Sequence, residues 1–347
     1  MIIGIFSSMS TASFRDQAEK MYRGFRRLGV SSSVHDFLDV FPIIPRFDKI
    51  IYMNSMFTPS FIPIRKMRLF TSSWSDIMLS MDCEGYPINL GPFRSLISRC
   101  RLYTPTFWCK KVFEESGLRV EGVIPRCIDH EELKVDEASI ERFRESFKGK
   151  KILFSVYALH KSMKHQRKGV EEHLEALRIL SNKGYDFVQV LLTNHDPEDL
   201  GIEVPREVRD RLVIDLNFGR YDKRQVALLY SACDVFVHPA HSGGFELPLV
   251  ESMACKKPPV CIDFGVMSEV AGDYGLKVKV TGVEEQRFID MILQVFGLYD
   301  PADLAEAIAY ALDNQEWYSE LGEKAYIYSY KFNYLEISKK YLEALRA

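Results

Sequence analysis

The feature that most constrains this chain is alternation. Short apolar, β-rich runs are separated by stretches of helical period from one end to the other. That succession calls for parallel sheets wrapped by helices, an α/β architecture. In the first part the candidate strands are Met1–Phe6, Ser32–His35, Lys49–Met53, Met67–Thr71, Arg101–Tyr103 and Gly122–Ile124. After the first of them, Phe14, Ala18, Met21, Tyr22, Phe25 and Leu28 fall on one helical face. Ser10, Thr11 or Ser13 can open that helix and Gly29 can close it. The loop Ser7–Ser13 therefore lies at the carboxyl end of a strand, where open α/β sheets bind ligands.

Residues 129–149 are charged and lack strand character, which marks a boundary. A second alternating series follows. Its expected strands are Ile152–Tyr157, Phe187–Leu192, Leu212–Ile214, Val235–His238 and Val260–Ile262. Its expected helices are Val170–Asn182, Lys223–Ala232, Pro248–Cys255, 302–313 and 315–326. The domain assignment that follows is 1–148, 149–330 and a last segment, 331–347, holding an amphipathic helix over Tyr334–Ala347.

A length of 347 residues suits about two domains. No apolar run approaches the roughly 18 residues that span a bilayer. Seven cysteines without a Cys-x-x-Cys pair argue against a disulfide framework or a zinc site. Cys255 and Cys261 read as buried, inert thiols, and the whole set suits a reducing, cytoplasmic compartment. Residues 1–128 hold 17 Lys and Arg against 11 Asp and Glu, while the remainder is acidic. The basic first domain can face an acidic acceptor or an anionic membrane surface, or simply be a solvated face. Phe57, Phe61, Ile62 and Ile64 beside Arg65-Lys66-Met67-Arg68 are the candidate peripheral contact. Pro59 and Pro63 argue against one continuous helix there. Asp82-Cys83-Glu84 and Asp196–Asp199 read as solvent-facing acidic loops, and no metal site is expected.

The stretch that carries chemistry is Asp234-Val-Phe-Val-His-Pro-Ala-His-Ser-Gly-Gly-Phe-Glu-Leu-Pro-Leu-Val-Glu-Ser-Met-Ala-Cys255. A buried strand ends near His238, a glycine-containing loop follows, and Pro248 opens a helix where its missing N–H has no intrahelical partner. Amides at that helix start, from Leu249 and Val250, favour an anion such as a diphosphate. Gly243 and Gly244 let backbone approach a ligand. Glu251 either accepts hydrogen bonds from a ribose diol or merely complements the helix dipole.

These residues resemble the donor-site signature of retaining glycosyltransferase family four, Glu-Gly-Phe-Gly-Leu-Pro-x-x-Glu-Ala-Met-Ala. The match runs through Phe245, Leu247, Pro248, Glu251, Met253 and Ala254. Further elements agree in order: Val123–Asp129, Arg167-Lys168-Gly169-Val170, Phe218-Gly219, Ala232–Val237 and Gly265–Val270. The resemblance implies a GT-B fold, two Rossmann-like domains facing across a cleft, with the C-terminal helix crossing back to the first. It implies sugar transfer with retention from a nucleotide-diphosphate sugar, as substrate and without a metal or other cofactor, to an acceptor hydroxyl on a glycan, lipid or small molecule. No nucleic-acid partner is implied.

The sequence departs from the family pattern at three places. The first glutamate of the signature aligns with Gly243, and a carboxylate stands instead at Glu246, where the family has glycine. Glu246 either reaches the same sugar or caps the helix. The family's Gly-Arg aligns with Val156-Tyr157, and a longer basic loop follows with His160, Lys161, Lys164, His165, Arg167 and Lys168. Lys168 is the first candidate for the missing charge. A first-domain histidine of the family is replaced at Ser72-Ser73-Trp74, and Trp74 can stack on a sugar ring or pack in the core. His35 reads as structural. The resulting expectation has Glu246 and Lys168 as catalytic residues, and Gly243, Gly244, Phe245, Leu247, Glu251, Tyr157 and Arg167 around the donor. Ser7, Ser73 and Trp74 fall on the acceptor side. The departures keep open a catalytically silent binding module of the same fold, or a nucleotide-sugar hydrolase or epimerase.

Overall fold

The computed structural model describes residues 1–36, 46–55, 61–159, 167–288 and 292–347. In chain order the first elements are β1 (Ile2–Ser7), α1 (Ala12–Arg27), β2 (Ser31–Asp36), β3 (Lys49–Ser55), α2 (Phe61–Met67), β4 (Ile77–Asp82), β5 (Gly85–Pro87), α3 (Pro92–Ile97), β6 (Arg101–Thr104), α4 (Phe107–Glu115) and β7 (Gly122–Val123). Next come α5 (Glu137–Glu145), β8 (Lys151–Val156), α6 (Val170–Asn182), β9 (Phe187–Leu192), α7 (Arg206–Arg209), β10 (Leu212–Asp215), α8 (Lys223–Ala232), β11 (Val235–His238), α9 (Leu247–Ala254), β12 (Pro259–Ile262), α10 (Gly265–Ala271) and β13 (Leu276–Val278). The chain ends with β14 (Gly282–Phe288), β15 (Ile292–Leu298), α11 (Pro301–Asp313), α12 (Gln315–Ser329) and α13 (Tyr334–Arg346).

These elements form two α/β units. One contains Met1–Asp129, Glu285–Val295 and Lys331–Ala347; the other contains His130–Glu284 and Phe296–Tyr330. In the first, a parallel sheet has the order β2-β1-β3-β4-β6-β7. Its inner strands β1, β3 and β4 are buried on both faces, so their apolar residues run continuously and alternate between two cores. Ile3, Ile5, Ile51, Met53 and Met78 join one core with Met21 and Phe25 of α1, whereas Phe6, Ile50, Tyr52, Ile77, Leu79 and Met81 join the other. His35 stacks on Phe6 with ring centroids 5.0 Å apart, the structural role expected of it.

Helix α13 completes the first of these cores with Ile337, Tyr341, Leu342 and Leu345. It approaches α1 so closely that a Cβ on Gly24 would lie 2.8 Å from Ser338 Cβ. Tyr341 Oη lies 2.6 Å from Ser80 Oγ on β4, and Arg101 Nη1 donates to the Ala344 carbonyl at 2.7 Å.

Two sequence expectations fail in this unit. Met67–Thr71 is not a strand: α2 and a following 3-10 turn (Arg68–Phe70) occupy it. Pro63 is the third residue of α2, where amide groups have no intrahelical acceptor. The core strand is β4, paired on either side with β3 and β6. Finally, Asp82-Cys83-Glu84 is not a solvent-facing loop. Arg126 Nη2 donates to Asp82 at 2.9 Å, and buried Glu84 accepts from Gln294 Nε2 at 2.9 Å. Phe57 and Pro59 lie outside the described residues, as do the side chains of Phe61 and Ile62.

The other unit has a parallel sheet of order β10-β9-β8-β11-β12-β13. The chain runs outward from β8 in one direction and then from β11 in the other. The strand order therefore reverses between β8 and β11, and ligands bind such sheets at the carboxyl ends of the strands beside that point. Cys255 and Cys261 are buried, and burial pushes both thiols up to about 12. Among the described residues no helix is long and apolar enough to cross a membrane.

Candidate active site

The reversal point is furnished by three segments: Arg167–Gly169 before α6, His238 at the end of β11, and the loop that enters α9. The loop's last residue, Glu246, adopts a left-handed backbone with φ 62° and ψ 72°. Glycine adopts that conformation freely, and a residue with a Cβ pays roughly 1–2 kcal/mol for it. Glu246 holds it because its carboxylate is gripped from several sides. Lys168 Nζ donates to both oxygens at 2.6 Å, Arg167 Nη1 lies 3.7 Å from Oε1, and His238 Nε2 lies 3.0 Å from Oε2.

Burial alone would raise the pKa of Glu246, but Lys168, then His238 and Arg167, outweigh it and hold the carboxyl far below the usual carboxylate range. Burial pushes His238 below its ordinary value, so the imidazole is neutral. A neutral ring facing a carboxylate carries its proton on Nε2. Two cations, Arg167 and Lys168, thus meet the Glu246 carboxylate.

Gly243 gives this cluster its room. A Cβ built there would lie 2.5 Å from Glu246 Cγ and 2.6 Å from Cδ. The Glu246 side chain folds back over residue 243 and fills the place a side chain at that position would take. The carboxylate expected at 243 and the glycine expected at 246 have exchanged positions in sequence, while a carboxylate stays beside the same backbone. Glu246 gives α9 no side-chain capping bond, so the capping alternative fails.

Helix α9 opens at Leu247, one residue earlier than expected, with Pro248 second. The Leu249 amide donates to the Glu246 carbonyl at 3.1 Å and is therefore not free, contrary to expectation. Gly244 and Phe245 are buried and Leu247 is half-buried. Glu251 falls beyond the first helical turn, which removes the helix-dipole alternative. Its Oε1 accepts from Lys223 Nζ at 2.6 Å and its Oε2 from Tyr230 Oη at 3.3 Å. Each oxygen keeps a further lone pair for another donor. Lys223 and Tyr230 escaped the sequence reading, although their seven-residue spacing puts them on one face of α8.

Tyr157 is turned inward rather than toward this cluster. It is 2% exposed, and its hydroxyl lies 3.2 Å from Nδ1 of buried His173. Of the basic loop, Arg167 and Lys168 join the cluster; His160, Lys161, Lys164 and His165 lie outside the described residues.

The three acceptor-side candidates do not converge. Ser7 ends β1 at the carboxyl edge of its sheet, level with Met53 and, through β3, with Ser80. Its hydroxyl lies 3.2 Å from the carbonyls of Phe14 and Met53. Ser73 and Trp74 precede β4 at the opposite, amino edge, on the order of 20 Å away at ~3.3 Å per strand residue. Ser73 caps a 3-10 turn (Trp74–Asp76), and Arg99 covers the Trp74 ring at 5.9 Å. The misplacement follows from taking Met67–Thr71 as the strand.

The family model for glycosyl transferases group 1 matches residues 137–328, more than half of the chain. The chain belongs to the glycosyl transferases group 1 family. This group 1 member has the GT-B fold. It is similar to O-antigen chain mannosyltransferase B of Escherichia coli, 30% identical over 123 residues, which cover 35% of this chain and 32% of that one. It is also similar to putative glycosyltransferase 45 of Sulfolobus islandicus filamentous virus, 26% identical over 187 residues, covering 52% and 50%. The alignments thus span only a third to a half of these relatives. Among solved structures it resembles Anabaena HepE in complex with UDP and glucose, with a TM-score of 0.71 and 13% identity over 100% of this chain and 99% of that one. That likeness concerns the fold.

Proposed function

We propose that this glycosyltransferase moves a sugar from a nucleotide-diphosphate sugar to an acceptor hydroxyl, with retention at the anomeric carbon. The observation that carries the reading is the Lys168–Glu246–Arg167 cluster at the strand-order reversal, built around Gly243. As the glycosidic bond breaks, negative charge grows on the departing diphosphate, and fixed donors stabilise developing charge best. Lys168 and Arg167 supply such donors, so protein cations rather than a bound metal meet the leaving group. Glu246 accepts hydrogen bonds from sugar hydroxyls. Glu251, oriented by Lys223 and Tyr230, accepts from the ribose diol. The UDP and glucose named for the HepE complex make UDP-glucose the first donor to try.

The test is calorimetric titration with UDP-, GDP- and ADP-sugars, followed by turnover assays with and without acceptor and with EDTA. Transfer that needs an acceptor and persists in EDTA is expected. Donor cleavage without any acceptor would instead indicate a hydrolase, and binding without turnover a silent module.

The acceptor reading extends to a membrane surface through Leu69, which is 71% exposed and next to Arg68, with Arg65 and Lys66 in the last turn of α2. Co-sedimentation with anionic but not neutral vesicles is the expected result, and equal recovery with both would reject that contact.

A further inference from the structure

His241, three residues beyond β11, is 6% exposed and has acceptors on both sides of its ring. Nδ1 lies 2.8 Å from the Gly297 carbonyl oxygen, and Nε2 lies 3.1 Å from Glu172 Oε2 in the first turn of α6. A neutral imidazole has one N–H, so it would turn a lone pair toward either the carbonyl or the carboxylate. Only the imidazolium satisfies both.

The main chain of the same residue is engaged twice. Its N–H donates to the Arg167 carbonyl at 2.9 Å, and its carbonyl accepts from the Gly297 amide at 3.0 Å. The segment it touches leads directly into the donor cluster, because Lys168 follows Arg167 and grips Glu246. Gly169, next along, has φ +63°, and a Cβ there would lie 2.7 Å from Tyr299 Oη. Tyr299 itself donates to the Pro239 carbonyl at 2.7 Å. Residues 167–169 are therefore pinned between 239–241 and 297–299, with His241 joining all three.

We infer that His241, as an imidazolium paired with Glu172, is a positioning residue that holds the Arg167–Lys168 main chain in place for the donor diphosphate. This rests on the donor reading above. The groups facing the ring are Glu172 and Glu171 of α6, the Tyr299 ring at 5.0 Å, the Phe296 ring at 6.2 Å and the Arg167 main chain. Burial works against the charge, but Glu172 outweighs it and the net pKa is raised. The paired state is thus complete below the ordinary histidine value and is lost as pH rises through the folded one.

The experiment uses the full chain and UDP as the probe. NMR follows the His241 ring resonance, assigned by its loss in His241→Gln, while calorimetry measures UDP affinity from pH 6 to 9 for the parent and Glu172→Gln. Comparing the two proteins cancels the titration of the ligand's own phosphate. The His241 resonance is expected to titrate above the histidine norm, with parent affinity falling by up to on the order of tenfold across its titration. In Glu172→Gln both midpoints should move together to lower pH, with turnover at saturating donor changing less than KM. A His241 midpoint at or below the norm in the parent would overturn the proposal, even if Glu172→Gln fails to fold. An affinity profile that Glu172→Gln leaves in place would also overturn it. UDP binding that is normal but independent of pH sinks this inference alone. If UDP does not bind, GDP and ADP replace it as the probe, and no binding of any of the three at any pH would sink the donor reading as well.

Discussion

The exchange between positions 243 and 246 can be undone. Glu246→Gly removes a left-handed glutamate, which relieves about 1 kcal/mol of backbone strain. It also strips the carboxylate from Lys168 and Arg167, which are 9% and 15% exposed at the side chain. Removing one partner of a pair this buried costs about 3 kcal/mol. The single variant should therefore be less stable by about 2 kcal/mol, or roughly 4–8 °C in Tm for a unit of this size. It should also lose most donor turnover. Adding Gly243→Glu restores a carboxylate beside the same backbone. Gly243 is not among the positive-φ residues, and the three atoms nearest a Cβ there belong to Glu246 itself, so removing the Glu246 side chain removes those clashes. Thermal melts and donor turnover on parent, single and double variants form the assay. The double variant should recover both most of the lost Tm and most of the lost rate. If it is no better than Glu246→Gly in either, residues 243 and 246 do not share one carboxylate site and the reasoning fails.

Glu251→Ala should weaken nucleotide binding by about 1.5–3 kcal/mol through loss of charged hydrogen bonds, read by calorimetry; unchanged affinity in a folded variant would remove Glu251 from the ribose. Burial pushes His173 down to about 3, whereas the unfolded chain takes up that proton near pH 6.5. Between those values the unfolded state binds more protons, so stability falls with acid by up to about 1.4 kcal/mol per pH unit. His173→Gln should flatten this acid slope in urea melts from pH 7 to 4, and an unchanged slope would assign it to other groups. Gly24→Ala should cost about 1–3 kcal/mol by forcing α13 off α1 at Ser338, and a melt equal to the parent's would show that the two helices can separate without loss.

The alternation of strand and helix, Pro248 and the transposed Gly243 and Glu246 were all legible in the chain, because each is written in neighbouring residues. Local periodicity states which way a residue faces within its own element. It is weakest for short apolar runs, which is why Met67–Thr71 read as a strand and drew Ser73 and Trp74 to the wrong edge of the sheet. Partnerships across the sheet follow a different rule. Lys168 and Glu246 are 78 positions apart, and Lys223 and Glu251 are 28 apart. The first pair meets because β8 and β11 are neighbours in the strand order and the second because α8 packs against α9, outcomes of global packing that no local pattern spells out. The charge state of His241 belongs to the same class, since it depends on Glu172 and Gly297 being brought to opposite sides of one buried ring.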